Sequence, residues 1–188
     1  DLSQKSSSMA TVDVPYPKYA EPLYEAFICP LTKQVMQDPV SLENGQTFER
    51  AAITRWLQEC KEKGRIPTCP VTGDELDSTS LRPSNALRST IEEWIYRTDA
   101  AHIDNAKIVL MSSTFPEDIL RALHDLRQLC SKNKVNQRRI RSAGIIPVIA
   151  DQLRDGQEIR WAALSTLRII AQDDDDNKVL LDSCFSSF

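Results

Sequence analysis

The sequence predicts a small α+β domain followed by an all-α array of superhelical repeats. Three observations predict it. Asn44-Gly45 lies between the β-forming runs Val40-Ser41-Leu42 and Thr47-Phe48. That is the strongest short-range hairpin signal, because both turn positions tolerate positive φ. Ile53, Trp56, Leu57 and Cys60 then recur at i, i+3, i+4, i+7, and Leu87, Ile91, Trp94 and Ile95 at i, i+4, i+7, i+8, which makes two amphipathic helices. Beyond Thr98 the chain turns wholly helical and resembles itself at a shift of about 41 residues.

The totals exclude several classes. A chain of 188 residues makes one or two domains, and 41% hydrophobic with 27% charged residues is ordinary soluble composition. A net charge of -4 argues against nucleic acid, whose partners usually carry a basic footprint. No apolar run approaches the ~20 residues that span a bilayer, and the first residues lack the parts of a signal peptide. The five cysteines, Cys29, Cys60, Cys69, Cys130 and Cys184, are odd in number and widely spaced. They read as reduced thiols in the cytosol or nucleus.

Residues 1–22 are rich in Ser, Pro, Lys and Tyr without periodicity and are expected to be a disordered lead-in. A phosphorylated tail around Ser6 to Ser8 is the other reading. Residues 23–98 hold the order loop, hairpin, helix, loop, helix, with Lys61 to Thr68 as the polar loop and Ser84 as N-cap of the second helix. Residues 99–116 are a connecting segment, helical from Ala100 to Ser112. Residues 117–188 are the repeat array. Thr114 with Glu117 has the pattern of a capping box, and Pro116 suits a first helical turn. Breaks are expected at Ser131–Asn133, Gly144, Asp155-Gly156 and the acidic run Asp173–Asp176.

The repeat superposes Ala122-Leu123 on Ala163-Leu164, Leu126-Arg127 on Leu167-Arg168, Asn136 on Asn177, Ile140 on Leu181 and Ser142 on Ser183. A period near 40 residues in helical sequence is that of armadillo or HEAT repeats. Between the copies, Pro147, Ile149 and Leu153 fit a third repeat helix. The second copy breaks off at Phe185-Ser186-Ser187-Phe188, so the array is expected to be truncated.

Two stretches, "FICPLTKQVMQDPV" from Phe27 and "TCPVTGDEL" from Thr68, each carry a Cys-Pro where a RING finger places its zinc knuckles. A cross-brace of two zinc ions needs four Cys or His ligands for each metal, in paired short spacings. Between Phe27 and Ile95 stand three cysteines and no histidine, and neither Cys29 nor Cys69 has a second ligand two to four residues away. No metal is expected, and a zinc hydrolase or nuclease fails on the same count. Something else must hold the loops.

Those two stretches, with "NGQTFERAAITRWL" and "RPSNALRSTIEEW", resemble in order the U-box of ubiquitin ligases over about Tyr24 to Thr98. A U-box followed by armadillo repeats is similar to the plant U-box/armadillo family. "EAFICPLTKQVM" and "LRSTIEEW" are similar to its senescence-associated, plasma-membrane-linked subgroup. The resemblance implies a RING-like, zinc-free α+β fold in which buried, paired polar groups replace the metals, which is physically reasonable. Gln46, Glu49, Arg50, Thr68, Thr72 and Asn85 are the candidates for pinning the loops. Each is equally open to being a solvated surface group, least so Asn85, which matches the family's Pro-x-Asn pattern.

The resemblance implies a ligase with no catalytic residue and no cofactor of its own. It holds a ubiquitin-charged conjugating enzyme beside a substrate lysine, so the gain is proximity and orientation. Ile28, Cys29, Pro30 and Leu31 of the first loop, Lys33 beyond them, Pro70 and Val71 of the second loop and Trp56 between are the expected contacts. For Ile28 and Trp56 the alternative is core packing. Cys29 as a thioester nucleophile is excluded by its lack of a basic neighbour. Some relatives carry an Arg three residues after the second-loop Pro to steady ubiquitin; here that position is Gly73. The partners implied are the conjugating enzyme, ubiquitin and a protein substrate held by the repeats, with a homodimer and peripheral plasma-membrane association of a cytoplasmic protein also open. The basic run Lys132, Lys134, Arg138, Arg139, Arg141 reads as a solvated face or an anionic-surface contact. The competing function is a regulatory adaptor that binds partners without supporting transfer.

Overall fold

The computed structural model describes residues 23–172 and 174–185; the expectations for the lead-in and for the last three residues lie outside them. After a single 3-10 turn, Glu25–Phe27, the chain forms β1 (Pro39–Ser41), β2 (Thr47–Glu49), α1 (Arg50–Glu62) and β3 (Arg82–Pro83). The helices α2 (Asn85–Ser112), α3 (Pro116–Lys132), α4 (Val135–Ser142), α5 (Ile145–Asp151), α6 (Gln157–Ala171) and α7 (Asp175–Phe185) follow.

The hairpin forms where Asn44-Gly45 puts it. Gly45 takes φ +82°, and Leu42 N–H closes the turn on Gln46 O at 2.9 Å. The three strands are antiparallel in the order β2-β1-β3, with Val40 opposite both Phe48 and Pro83. Strand β3 is not legible in the sequence, because two residues ending in Pro carry no strand pattern. Val40, Leu42 and Phe48 point inward and meet Ile53 of α1, Ile91 of α2, and Phe27 and Met36 from the first loop. This is the first of two apolar cores.

Helix α2 revises the expected layout. It runs unbroken for 28 residues, so the second domain helix and the connecting helix are one element. Ser84 occupies the N-cap position, but its side chain makes no capping bond; its N–H instead donates to Pro39 O at 2.9 Å and ties the helix start to β1. The Thr114–Glu117 capping box does not form. Helix α3 begins at Pro116 with Phe115 as N-cap, and the hydroxyl of Ser113 bonds Asp118 and accepts Phe115 N–H.

The second core gathers Ile103, Ala106 and Leu110 of α2 with Leu123 and Leu126 of α3, Ile140 of α4, Ile145, Ile146 and Ile149 of α5, and Ala163, Leu167 and Ile170 of α6. Helices break near the expected places, at Asn133, at Gly144 with φ +66°, and after Ala171.

The self-similarity has a structural counterpart. Asn136 and Asn177 are both fully buried. Asn136 Nδ2 donates to Leu129 O at 3.1 Å, and Asn177 Nδ2 to Ile170 O at 2.8 Å, so each amide closes the end of the long helix before it. The correspondence fails at Leu164: its counterpart Leu123 is fully buried, whereas Leu164 is 41% exposed, because α6 covers the first and no described element covers the second.

Candidate partner-docking site

The two loops with Cys-Pro have the same hydrogen-bond pattern. Cys29 N–H donates to Gln34 O and Cys69 N–H to Asp74 O, both at 2.8 Å. Lys33 N–H returns to Cys29 O at 2.9 Å and Gly73 N–H to Cys69 O at 2.8 Å. Met36 N–H reaches Phe27 O and Leu76 N–H reaches Pro67 O, each at 2.9 Å. Thr32 Oγ1 accepts Gln34 N–H and Thr72 Oγ1 accepts Asp74 N–H, each at 3.3 Å. Each loop needs one left-handed residue, Lys33 at φ +58° and Gly73 at +78°. The glycine meets this at no steric cost; the lysine carries strain of about 1–2 kcal/mol.

A sulfur sits at the centre of each knuckle. Cys29 is fully buried, and its Sγ accepts Glu49 N–H at 3.3 Å. Burial pushes this thiol up, but the N–H groups of Glu49, Thr32 and Leu31 and the hydroxyl of Thr32 hold it below its ordinary value. Cys69 is alike: burial raises it, and the hydroxyl and N–H of Thr72, the amide of Asn44 and the N–H of Val71 bring it below. Cys130, in the apolar second core, has no such donors and is pushed up to about 12 by burial. The donors that surround Cys29 and Cys69 close the loops around sulfur from within the chain. Among the described residues no group of three or more His, Cys, Asp or Glu is arranged to hold a metal ion.

Carboxylates tie the first loop to the helices. Glu49 Oε2 accepts the N–H groups of Gln37 at 2.8 Å and Asp38 at 3.1 Å. Asp38 takes Arg50 Nε at 2.6 Å on one oxygen and Arg88 on the other. Arg50, then Arg88, holds its carboxyl below the usual range. One acid thus joins the first loop, α1 and α2. Trp56 Nε1 donates to Thr68 O at 2.8 Å and joins α1 to the second loop, with the Arg65 guanidinium 6.0 Å from the ring centroid.

The sequence candidates fall into three groups. Glu49, Arg50 and Thr72 bond through their side chains as described. Thr68 and Gln46 act through the backbone, Thr68 O accepting Trp56 and Gln46 O accepting Leu42 N–H. Asn85 is exposed and its amide makes no hydrogen bond among the described residues; at the first position of α2 it points to solvent, and Arg88 one turn on spans to Asp38 instead. Among the expected contacts, Cys29 is removed from the surface by its burial. Ile28, Pro30, Leu31, Pro70 and Trp56 are half-buried, while Lys33 and Val71 are exposed. Leu31 and Trp56 pack on the rim of the first core, each with part of its surface free. Sequence reasoning missed Asp38, Arg88 and Asn44. Their one signal was an unpaired charge or amide inside a recognised motif.

The candidate surface therefore joins half-buried apolar side chains of two like loops with one indole bonded to the second loop, and Lys33 is an exposed cation of the first loop. A groove of about 590 Å³ lies along α1 on the side of Leu57, lined also by Lys61, Pro67 and Leu81. Trp56 and the first loop do not line it. The basic run is partly committed elsewhere, since Arg141 binds Asp174 at 2.6 Å and Asp176 at 3.1 Å, and Arg139 stacks on Tyr96.

Twin knuckles closed by hydrogen bonds and joined by a hairpin and a central helix define a class of domain, and the family comparison agrees. Residues 24–99 match the family described as U-box domain, and this part of the chain is a U-box. Its homologues are plant proteins. The chain is 48% identical over 160 residues to U-box domain-containing protein 44 of Arabidopsis thaliana, covering 85% of this chain and 20% of that protein. It is 42% identical over 167 residues to U-box domain-containing protein 24 of Oryza sativa subsp. japonica, covering 84% and 20%. A more distant relative at 27% identity over 145 residues, covering 70% of this chain and 34% of its own length, is E3 ubiquitin-protein ligase PUB23 of Arabidopsis thaliana. The chain thus spans about a fifth of the length of the first two relatives.

Proposed function

We propose that this chain acts as a U-box ubiquitin-protein ligase. Its two loops dock a ubiquitin-charged conjugating enzyme, and the helical stack is an armadillo-type arm that recruits the protein substrate. The observation that carries the reading is the pair of matched knuckles, both held by hydrogen bonds from within the chain, with Trp56 bonded to the second. A rigid apolar surface with a few central anchors is what a docking partner of this kind needs. The name of the relative PUB23 adds support. The buried, repeated asparagines support the armadillo reading of the arm.

In this mechanism the ligase supplies no nucleophile. Leu31, Pro70 and Trp56 anchor the conjugating enzyme, with Ile28, Pro30 and Val71 around them. Lys33 favours an acidic edge on the partner. The substrate lysine attacks the ubiquitin thioester on the conjugating enzyme, whose cysteine leaves as thiolate; the gain is effective concentration and orientation. The five free cysteines fit a reducing compartment, the cytosol.

One observation favours a second reading, a docking adaptor that does not stimulate transfer. Gly73 places no side chain beside the second loop where a cation would steady ubiquitin.

The test is self-ubiquitylation with a panel of conjugating enzymes, with and without a metal chelator. Transfer that resists the chelator and drops about 10-fold or more in both Leu31→Ala and Pro70→Ala is the expected result. Loss of activity to chelator alone contradicts the metal-free account. A folded protein inactive with every enzyme in the panel leaves the adaptor reading in possession.

A further inference from the structure

The U-box match ends at Asp99, yet α2 continues for another thirteen residues into the second core. Along α2 the last fully buried U-box side chain is Ile91 and the first of the stack is Ile103. Between them Trp94 and Ile95 pack on the first core, but from Tyr96 to His102 neither core includes an apolar side chain. In its place stands a polar cluster between α2 and α4. Asp99 accepts Asn136 Nδ2 at 2.8 Å, and Arg139 Nη1 stands 4.0 Å from the same carboxylate. Arg139 Nη1 also donates to Asn136 Oδ1 at 3.0 Å, and its guanidinium lies 3.6 Å from the centroid of Tyr96. The side chains of Arg139 and Asp99 are only 16% and 17% exposed, so the pair is shielded from solvent.

The repeated asparagines show what this cluster replaces. Asn177 turns its amide back to Gln137 O of the preceding layer, at 3.5 Å. Asn136 has α2 as its preceding layer, and Asp99 of the U-box end takes the place of that carbonyl. Helix α2 is therefore both the last helix of the U-box and the first layer of the stack. We infer that Tyr96, Asp99, Asn136 and Arg139 are positioning residues that lock the docking loops and the helical stack into one fixed orientation. A single continuous helix with a buried polar clamp leaves no hinge at the boundary. Its consequence rests on the ligase reading: a fixed arm presents a limited set of lysines to the charged conjugating enzyme.

The rigidity itself is testable without ligase activity. Dyes on encoded azido residues at the exposed positions Glu75 and Arg168 report the distance between the second loop and α6 in the whole chain. A single narrow distance distribution is expected for the parent protein, broadened in Arg139→Ala and in Tyr96→Ala. Tyr96 is 57% exposed, so its truncation keeps the test open if Arg139→Ala does not fold. A distribution equally narrow in Tyr96→Ala and in any folded Arg139→Ala, or broad in the parent, overturns the inference. A second readout separates positioning from docking. Discharge of ubiquitin from a charged conjugating enzyme to free lysine is expected to be unchanged in both variants. The modified lysines among Lys132, Lys134 and Lys178, mapped by mass spectrometry, are expected to spread. Absent discharge in the parent defeats the ligase reading and leaves the distance result to decide rigidity.

Discussion

Asp38 is the residue on which the U-box geometry converges, because it joins Arg50 and Arg88 to the first loop. Its depressed folded value makes a signed prediction. The carboxylate contributes stability above its unfolded value near 3.8, and that contribution is lost as pH falls through the lower folded value. Asp38→Asn is expected to melt below the parent at pH 7, and the two melting temperatures to converge in acid; scanning fluorimetry across pH checks it. A constant offset at every pH contradicts the ionic role. At this scale the sequence was half legible. Glu49 and Arg50 stood out as charged residues at a helix start, but the partners of Asp38 lie 12 and 50 residues away along the chain. No spacing rule reaches that far. Asn85 is favoured among the loop-pinning candidates because it matches a motif position, and motif positions do not say which way a side chain points. Cys29 stands among the expected contacts only by its place in the loop, whereas its sulfur is buried and accepts Glu49 N–H from inside.

Elements were more legible than their ends. The stripes of α1 and α2, the Asn-Gly turn and the breaks at Gly144 and Asp155-Gly156 follow from periodicity and turn chemistry, which are local. The continuity of α2 was missed because a change of composition near Thr98 looks the same whether the helix stops or changes neighbours. The capping box failed because Ser113, one residue earlier, already bonds Asp118 and the Phe115 N–H. The strongest repeat signal, the asparagine pair, was visible as identity but not as mechanism. Removing either amide strips a bond from the carbonyl that ends the long helix before it. Asn136→Ala and Asn177→Ala are each expected to cost about 1–3 kcal/mol of stability, because each also leaves an arginine, Arg139 or Arg141, and an acceptor of the preceding layer, Asp99 or Gln137 O, without its amide. Urea unfolding with tryptophan fluorescence measures both; a neutral Asn136→Ala contradicts the layered account.

For the whole molecule, two cores share one helix. The first core carries the two knuckles, and the second builds the helical stack from the same α2. No described helix is long and apolar enough to cross a membrane. The central claim is that docking happens at the two knuckles and needs no metal. The direct measurement is a chemical-shift titration of the isotope-labelled chain with an unlabelled ubiquitin-conjugating enzyme, in the presence of a chelator. The account predicts shifts clustered at Ile28, Leu31, Lys33, Val71 and the Trp56 indole, with the spectrum of the free chain unchanged by the chelator. Shifts confined to the helical stack, or a spectrum that collapses when the chelator is added, would contradict it.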